Sequence, residues 1–264
     1  MTEKDIADRL QVALLAANRA GSFVLEAEKR GNHTIHRKQA NDFVTETDKL
    51  SEELIISIIR ENFPYDAIFG EETGSSGDLS YGRWIIDPID GTTNFFRSLP
   101  NYTISIAWEM EPYKPLVGVV FNPRQDELFW GSRGCGAFLN GEPIRVSDLD
   151  DPSHALMVCV PPHRSHDLAS MYFEHLYRIF LATSDLRSFG SCALELSYMA
   201  AGRLDGYYEL CLGYYDMAAG ACILQEAGGS FAPADPHVPF SDGRCDLVAS
   251  NGLIQEWLLH MVQA

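Results

Sequence analysis

Ile6, Leu10, Leu14, Ala17, Gly21 and Leu25 recur at three- and four-residue steps, which predicts an amphipathic helix at the start of the chain. A second helix is predicted where Leu50, Leu54, Ile55, Ile58, Ile59 and Phe63 share one face. Pro64 stops that run, and Thr45 to Asp48 stand at its entry, where acidic residues suit the helix dipole. From Asp66 to about Ser147 the period shortens to β-like runs between Gly, Pro and Asn: 67–69, 84–86, 103–107, 117–121 and 128–130. These predict an antiparallel sheet with hairpins. Beyond the polar stretch 147–153, strands at 155–160, 186–189 and 206–210 alternate with helices at 168–181, 192–201 and 217–227. The expected organisation is an N-terminal α+β domain over 1–150, carrying most of the candidate acids, and a C-terminal α/β domain over 151–264.

Composition adds constraints rather than elements. A chain of 264 residues that is 46% hydrophobic can fill a substantial core. Its formal charge of −17 argues against a broad grip on nucleic acid, which needs clustered Lys and Arg, and equally against anionic membranes. An acidic protein that binds an anion must supply positive potential locally, and bound metal ions do so. The six cysteines, at 135, 159, 192, 211, 222 and 245, lack zinc-site spacing and read as reduced, mostly buried thiols. Asn18, Arg19 and Glu26 break up the only apolar stretch near the start, and no later run approaches a membrane span, so a cytoplasmic enzyme is expected.

The chemistry concentrates in Trp84-Ile85-Ile86-Asp87-Pro88-Ile89-Asp90-Gly91-Thr92-Thr93-Asn94-Phe95, where an apolar strand runs into two aspartates flanking a proline. Pro88 fixes its own φ and pushes Asp87 toward extended geometry, so the two carboxylates can converge. Gly91 permits a tight turn, and the amides of Gly91, Thr92 and Thr93 can open a short helix that cradles phosphate. Asp-Pro and Asp-Gly are, singly, ordinary turn dipeptides. Their weight comes from company: Gly70-Glu71-Glu72 after an apolar run, Asp48 within Val44-Thr45-Glu46-Thr47-Asp48, and Asp216 within Tyr215-Asp216-Met217-Ala218-Ala219-Gly220. Asp48 also reads as a helix-entry acid, and Asp216 as the N-cap of the helix that ends at Gly228-Gly229. Two carboxylates about 4 Å apart repel by about 4 kcal/mol at an effective dielectric near 20, so several gathered together require a cation or must protonate.

Taken together these segments resemble the inositol monophosphatase family of metal-dependent, lithium-sensitive sugar phosphatases, in family order along nearly the whole chain. Gly134-Cys135-Gly136-Ala137-Phe138-Leu139-Asn140-Gly141 is similar to that family's β-hairpin segment. The resemblance implies a layered αβαβα sandwich. It implies that Glu71, Asp87 and the carbonyl of Ile89 hold one Mg²⁺, that Asp87, Asp90 and Asp216 hold a second, and that a third, weaker ion lies near Glu71. Such all-oxygen ligation suits Mg²⁺. The implied reaction is in-line attack by a metal-activated water, with Thr92, hydrogen-bonded to Asp48, helping Glu71 to orient and deprotonate it. The amides of Gly91 and Thr92 would hold phosphate oxygens.

Glu209, seven residues before Asp216, matches the position that accepts inositol hydroxyls in the family, and equally reads as an exposed acid at a strand end. The resemblance also places Asp90, Cys192 and Asp216 beside the substrate, and it implies a homodimer. Three positions depart from the pattern: Tyr215 replaces the usual Trp, Cys192 a frequent Ala, and Gly213 a His of some members. Glu209 and the Thr92-Thr93-Asn94-Phe95 run, which resembles the inositol branch of the family, make myo-inositol monophosphate the expected substrate, and the departures leave fructose 1,6-bisphosphate, 3′-phosphoadenosine 5′-phosphate, NADP and histidinol phosphate as alternatives on the same centre. An interaction or regulatory protein with a vestigial metal site is the rival from another class.

Overall fold

The computed structural model describes residues 2–30, 35–39, 42–163 and 165–263. In chain order the elements are α1 (Glu3–Arg30), β1 (Ile35–Gln39), β2 (Asp42–Thr45), α2 (Glu46–Asn62), β3 (Ala67–Gly70), β4 (Gly74–Ser76), β5 (Arg83–Asp90), α3 (Thr92–Phe96), β6 (Thr103–Glu109), β7 (Pro115–Asn122), β8 (Glu127–Ser132), β9 (Gly136–Leu139) and β10 (Glu142–Ile144). There follow β11 (Leu156–Val160), α4 (Ala169–Ala182), β12 (Asp185–Arg187), α5 (Cys192–Ala200), β13 (Gly206–Leu212), α6 (Tyr214–Glu226), β14 (Ser230–Pro233), β15 (Cys245–Ser250) and α7 (Gln255–Gln263). An eight-stranded sheet has the order β10-β9-β8-β7-β6-β5-β3-β4, and a five-stranded sheet the order β12-β11-β13-β15-β14.

Period-2 alternation sorts the strand residues into separate apolar layers. Trp84, Ile86, Ile104, Ile106 and Trp108 face Ala13, Ala16, Ala20, Ile55 and Ile59 of α1 and α2. On the opposite face of the same sheet, Ile85, Ala107, Val120 and Phe129 pack with α5, α6 and the inner side of the second sheet. That second sheet turns Met157, Cys159, Tyr208 and Val248 outward onto α4 and α7. The result is the expected αβαβα sandwich. Among the described residues no helix is long and apolar enough to cross a membrane.

Three expectations need correction, and the α/β half expected for the C-terminal residues gains its strand directions. The larger sheet is not wholly antiparallel: β3 and β5 pair in parallel, because the chain leaves β3 through β4 and re-enters beside it. In the C-terminal sheet, β11 runs parallel to both neighbours while β15 is antiparallel to its own. Leu50 is 44% exposed and does not share the buried face of α2. Thr47, Asp48, Ser51 and Glu52 are buried instead, because the first half of this helix packs against polar turns rather than the apolar layer. Lastly, α6 starts at Tyr214 with Gly213 as its N-cap, so Asp216 is the third residue of the helix rather than its cap.

Asp66 ties α1 to the sheet just ahead of β3. Its Oδ2 accepts hydrogen bonds from Arg9 Nε (3.0 Å), Trp84 Nε1 (3.1 Å) and Trp108 Nε1 (3.0 Å), and its Oδ1 from Arg9 Nη2 (3.1 Å). The Arg9 guanidinium lies over the rings of Phe63 and Trp108. Removing a buried acceptor strands all of these donors at once. Asp66→Ala is expected to lower stability in urea unfolding by about 3–5 kcal/mol, and a loss below about 1 kcal/mol, the range of a surface pair, would contradict this role.

Candidate active site

A cavity of about 400 Å³ opens where the C-terminal ends of β5 and β13 meet the first turns of α3, α5 and α6. Its floor depends on one irregularity. In an undisturbed strand Asp87 and Asp90, three residues apart, would point to opposite faces. In β5 Asp87 pairs with Ser105 and Asp90 with Thr103, three steps against two on β6, so Pro88 and Ile89 absorb a β-bulge. The extra residue restores both carboxylates to one side. Oxygens of Asp87, Asp90 and Asp216 consequently lie within 4.8 Å of one another, and all three residues are buried.

Glu71 enters the same cavity from the turn after β3, where its N–H donates to Ile86 O (3.1 Å). That turn is held by Glu52 of α2, whose carboxylate accepts the N–H groups of Glu72 (3.0 Å) and Thr73 (2.9 Å). A Cβ at residue 70 would come within 2.6 Å of the Glu52 carboxyl, which explains Gly70. Burial pushes the Glu52 carboxyl up against the pull of these amides. Glu52 escaped the sequence reading, although a lone acid on the inward face of α2 was a signal for it.

Thr92 Oγ1 lies 3.0 Å from Asp48 Oδ1 and 3.1 Å from Ile89 O, so its single hydrogen goes to one of two inner acceptors. Asp48 is fully buried behind it. Ile89 donates its N–H to Asp87 Oδ1 (3.0 Å). Gly91, at φ +93°, precedes the first turn of α3, and a Cβ there would meet the carbonyls of Asn101 and Gly190 at 3.0 Å.

The acids also clasp the second half of the chain. Asp90 Oδ2 accepts Ser191 Oγ (2.7 Å) and Ala193 N–H (2.7 Å), capping α5 from across the seam. Asp216 Oδ2 accepts the N–H of Gly213 (2.7 Å) at the mouth of α6. Cys192 and Glu209 line the cavity as expected, and the Tyr207 hydroxyl donates to Glu209 Oε2. Glu195, which the sequence reading passed over, lines it too. β13 also bulges between Glu209 and Leu212, with Cys211 at φ +65°, and so bends toward the cavity.

Desolvation, and then the charges of Glu71, Asp90, Asp216 and Asp48, hold the Asp87 carboxyl well above the usual range. Burial likewise raises Glu209, opposed by the Tyr207 hydrogen bond and aided by Glu195, Asp216 and Asp90. Glu195 is pushed up to about 8, chiefly by burial. Among the described residues no Lys or Arg lines this cavity. The donor set is all oxygen and compact, which fits a hard divalent cation such as Mg²⁺.

An αβαβα sandwich with a carboxylate centre at its seam has the architecture of the sugar phosphatases. The chain belongs to the inositol monophosphatase family, whose pattern it matches over residues 5–264. It is 40% identical over 222 residues to the Nus factor SuhB of Pasteurella multocida, covering 83% of each chain. To the fructose-1,6-bisphosphatase/inositol-1-monophosphatase of Aquifex aeolicus it is 35% identical over 255 residues, covering 96% of this chain and 95% of the relative. The solved structure of inositol monophosphatase from Anabaena superimposes with a TM-score of 0.84 at 34% identity, covering 98% of this chain and 96% of the other.

Proton linkage gives a direct test. Because Asp87, Glu209 and Glu195 titrate higher in the folded state, the folded apoprotein holds protons that the unfolded chain has released. Stability then falls as pH rises through the window from 4.5 to about 8 that Glu195 defines. In EDTA, Tm is expected to drop across that window, and millimolar Mg²⁺ is expected to remove the part of the drop that Asp87 contributes. A metal-free Tm that is flat or rises over the same range contradicts the buried acid cluster.

Proposed function

We propose that the protein is a Mg²⁺-dependent phosphomonoesterase that hydrolyses myo-inositol monophosphate to inositol and phosphate. The observation that carries this reading is the convergence of Asp87, Asp90 and Asp216 within 4.8 Å, in a cavity that also receives Glu71. Glu71, Asp87 and the Ile89 carbonyl would hold one ion, and Asp87, Asp90 and Asp216 a second, with a third near Glu71. When bound, Mg²⁺ supplies Lewis acidity toward water, phosphoryl oxygens and the leaving alkoxide.

The protein's own groups supply orientation and proton handling. Thr92 spends its hydroxyl hydrogen on Asp48 or Ile89 O, so toward the cavity it can act only as an acceptor, and it fixes one hydrogen of the attacking water. Glu71 takes the other proton. The amides of Gly91 and Thr92, at the first turn of α3, hold phosphate oxygens. Glu209, oriented by Tyr207, accepts hydroxyls of the leaving polyol. Attack is in line, with inversion at phosphorus and no phosphoenzyme.

The names of relatives support inositol and fructose esters together, so fructose 1,6-bisphosphate is the first alternative substrate. The name Nus factor, borne by a relative at 40% identity, favours a second reading in which the chain acts through an interaction partner.

Phosphate release from a panel of inositol, fructose, nucleotide and histidinol phosphates, with and without Mg²⁺, tests the proposal. Turnover is expected to be highest on inositol monophosphate and absent in EDTA. Asp87→Asn is expected to lower kcat by more than about 100-fold, beyond the cost of removing a residue that only supports a ligand. Retention of configuration at phosphorus, or full activity of Asp87→Asn, would contradict the mechanism.

A further inference from the structure

Asp216 is held in place by a turn that closes on itself. Its N–H donates to Gly213 O (3.2 Å) and its Oδ2 accepts the Gly213 N–H (2.7 Å), so the carboxylate is only as fixed as residues 213–216 are. Two aromatic residues lie inside that turn, and both are fastened from outside it. Tyr215 packs its ring on Phe69 of β3, 5.7 Å between centroids. Tyr214, the buried first residue of α6, donates its hydroxyl to Glu109 Oε2 (2.6 Å) and sets its ring edge-on to Tyr113. Glu109 is itself buried at the end of β6, where it is the cross-strand partner of Arg83 at the start of β5. Arg83 divides its planar fork between two carboxylates, with Nε donating to Glu109 Oε1 (2.5 Å) and Nη1 to both oxygens of Asp242 (2.9 Å each). Asp242 belongs to the segment between β14 and β15, and its carbonyl accepts the Tyr214 N–H (3.5 Å), which closes the circuit back to the turn. None of Arg83, Glu109, Tyr214 and Asp242 lines the cavity.

Burying an arginine with two acids is costly, and well-packed apolar residues would join the same layers at least as firmly. What directed hydrogen bonds add is a fixed orientation, and a ligating side chain needs its supports set to within about half an ångström. We propose that Arg83, Glu109 and Asp242 form a brace that acts through Tyr214 to hold Asp216 in the geometry of an ion ligand, which makes these four residues positioning residues for the metal centre. This rests on the metal-dependent reading above.

Tyr214→Phe removes one hydrogen bond of the brace and keeps the ring. Mn²⁺ titration followed by calorimetry, on the whole chain at a temperature where wild type and variant are both folded, reads the effect without substrate. In Y214F at least one class of Mn²⁺ site is expected to weaken by about tenfold or more, the scale on which groups behind a ligand tune metal affinity. Turnover is expected to fall at low Mg²⁺ and to recover as Mg²⁺ is raised, because every ligand is still present. An unchanged Mn²⁺ isotherm in a variant of lowered Tm, the signature of a merely structural network, would overturn the proposal, as would a loss of turnover that is equal at all Mg²⁺ concentrations. Should Y214F fail to fold by thermal melting, Asp242→Asn alters the brace at its outer end, where the Asp242 side chain is 38% exposed. The same weakening is expected of D242N, and wild-type Mn²⁺ affinity in that variant would overturn the brace. A wild-type protein that binds no Mn²⁺ overturns the underlying metal-centre reading instead.

Discussion

Carboxylates crowded into a dry cavity are the constraint on which the rest of this structure depends. Asp87, Asp90 and Asp216 touch one small volume, and Glu71 and Asp48 act on it from either side. The fold relieves part of this with helix N-termini. Asp48 sits in the first turn of α2, Thr92 opens α3, Asp90 caps α5, and Asp216 lies in the first turn of α6. Each such terminus is worth about 0.3–1 kcal/mol to an anion, rising to about 2 kcal/mol when partly buried. A single carboxylate pair at contact costs about 4 kcal/mol at moderate dielectric, so the helices cannot balance the cluster. A divalent cation or protons can, and the competition between them links metal affinity to pH.

The same acids join the two halves of the chain. Asp90 at the end of β5 caps α5, Asn94 of α3 binds the carbonyls of Phe189 and Gly190, and Glu195 holds the amides of those two residues. The middle apolar layer crosses the same seam, with Ile85 and Val120 from one sheet and Val158 and Leu247 from the other. Substrate would therefore bind between elements that are already locked together, and the cavity needs little ordering on binding. Bulges on β5 and β13 place acids at its floor and wall, at strand ends where an extra residue disturbs few ladder bonds.

Much of this was legible in the chain, and the failures have physical causes. α1, β5, β6 and β7 followed from apolar periodicity alone, because each buries a continuous face. Leu50 misled because an apolar residue on the periodic face of α2 was outcompeted by Asp48, Ser51 and Glu52, whose partners are turns far along the chain. Asp216 read as a cap because the helix was begun at Met217, whereas Tyr214 and Tyr215 extend it by a turn that local propensity does not favour. The converging acids were found through context: an apolar strand entering Asp-Pro-Ile-Asp-Gly is uncommon, and three further acids stood at similar junctions. Glu52 and Glu195 were missed because one acid inside an apolar run has no signature until the amides it holds are seen. Roles for Glu71 and Glu209 came from family resemblance, since neither periodicity nor spacing marks them.

The central claim is that acids distant in the chain share divalent cations at one point. Crystals grown with Mn²⁺ in place of Mg²⁺ and measured at the manganese edge locate such ions without reference to activity. Anomalous peaks are expected about 2.1–2.3 Å from carboxylate oxygens, as oxygen-ligated divalent ions require, with one ion touching Asp87, Asp90 and Asp216 and another touching Glu71 and Asp87. A map without peaks at this cluster, at Mn²⁺ concentrations that saturate the protein in solution, would contradict the claim.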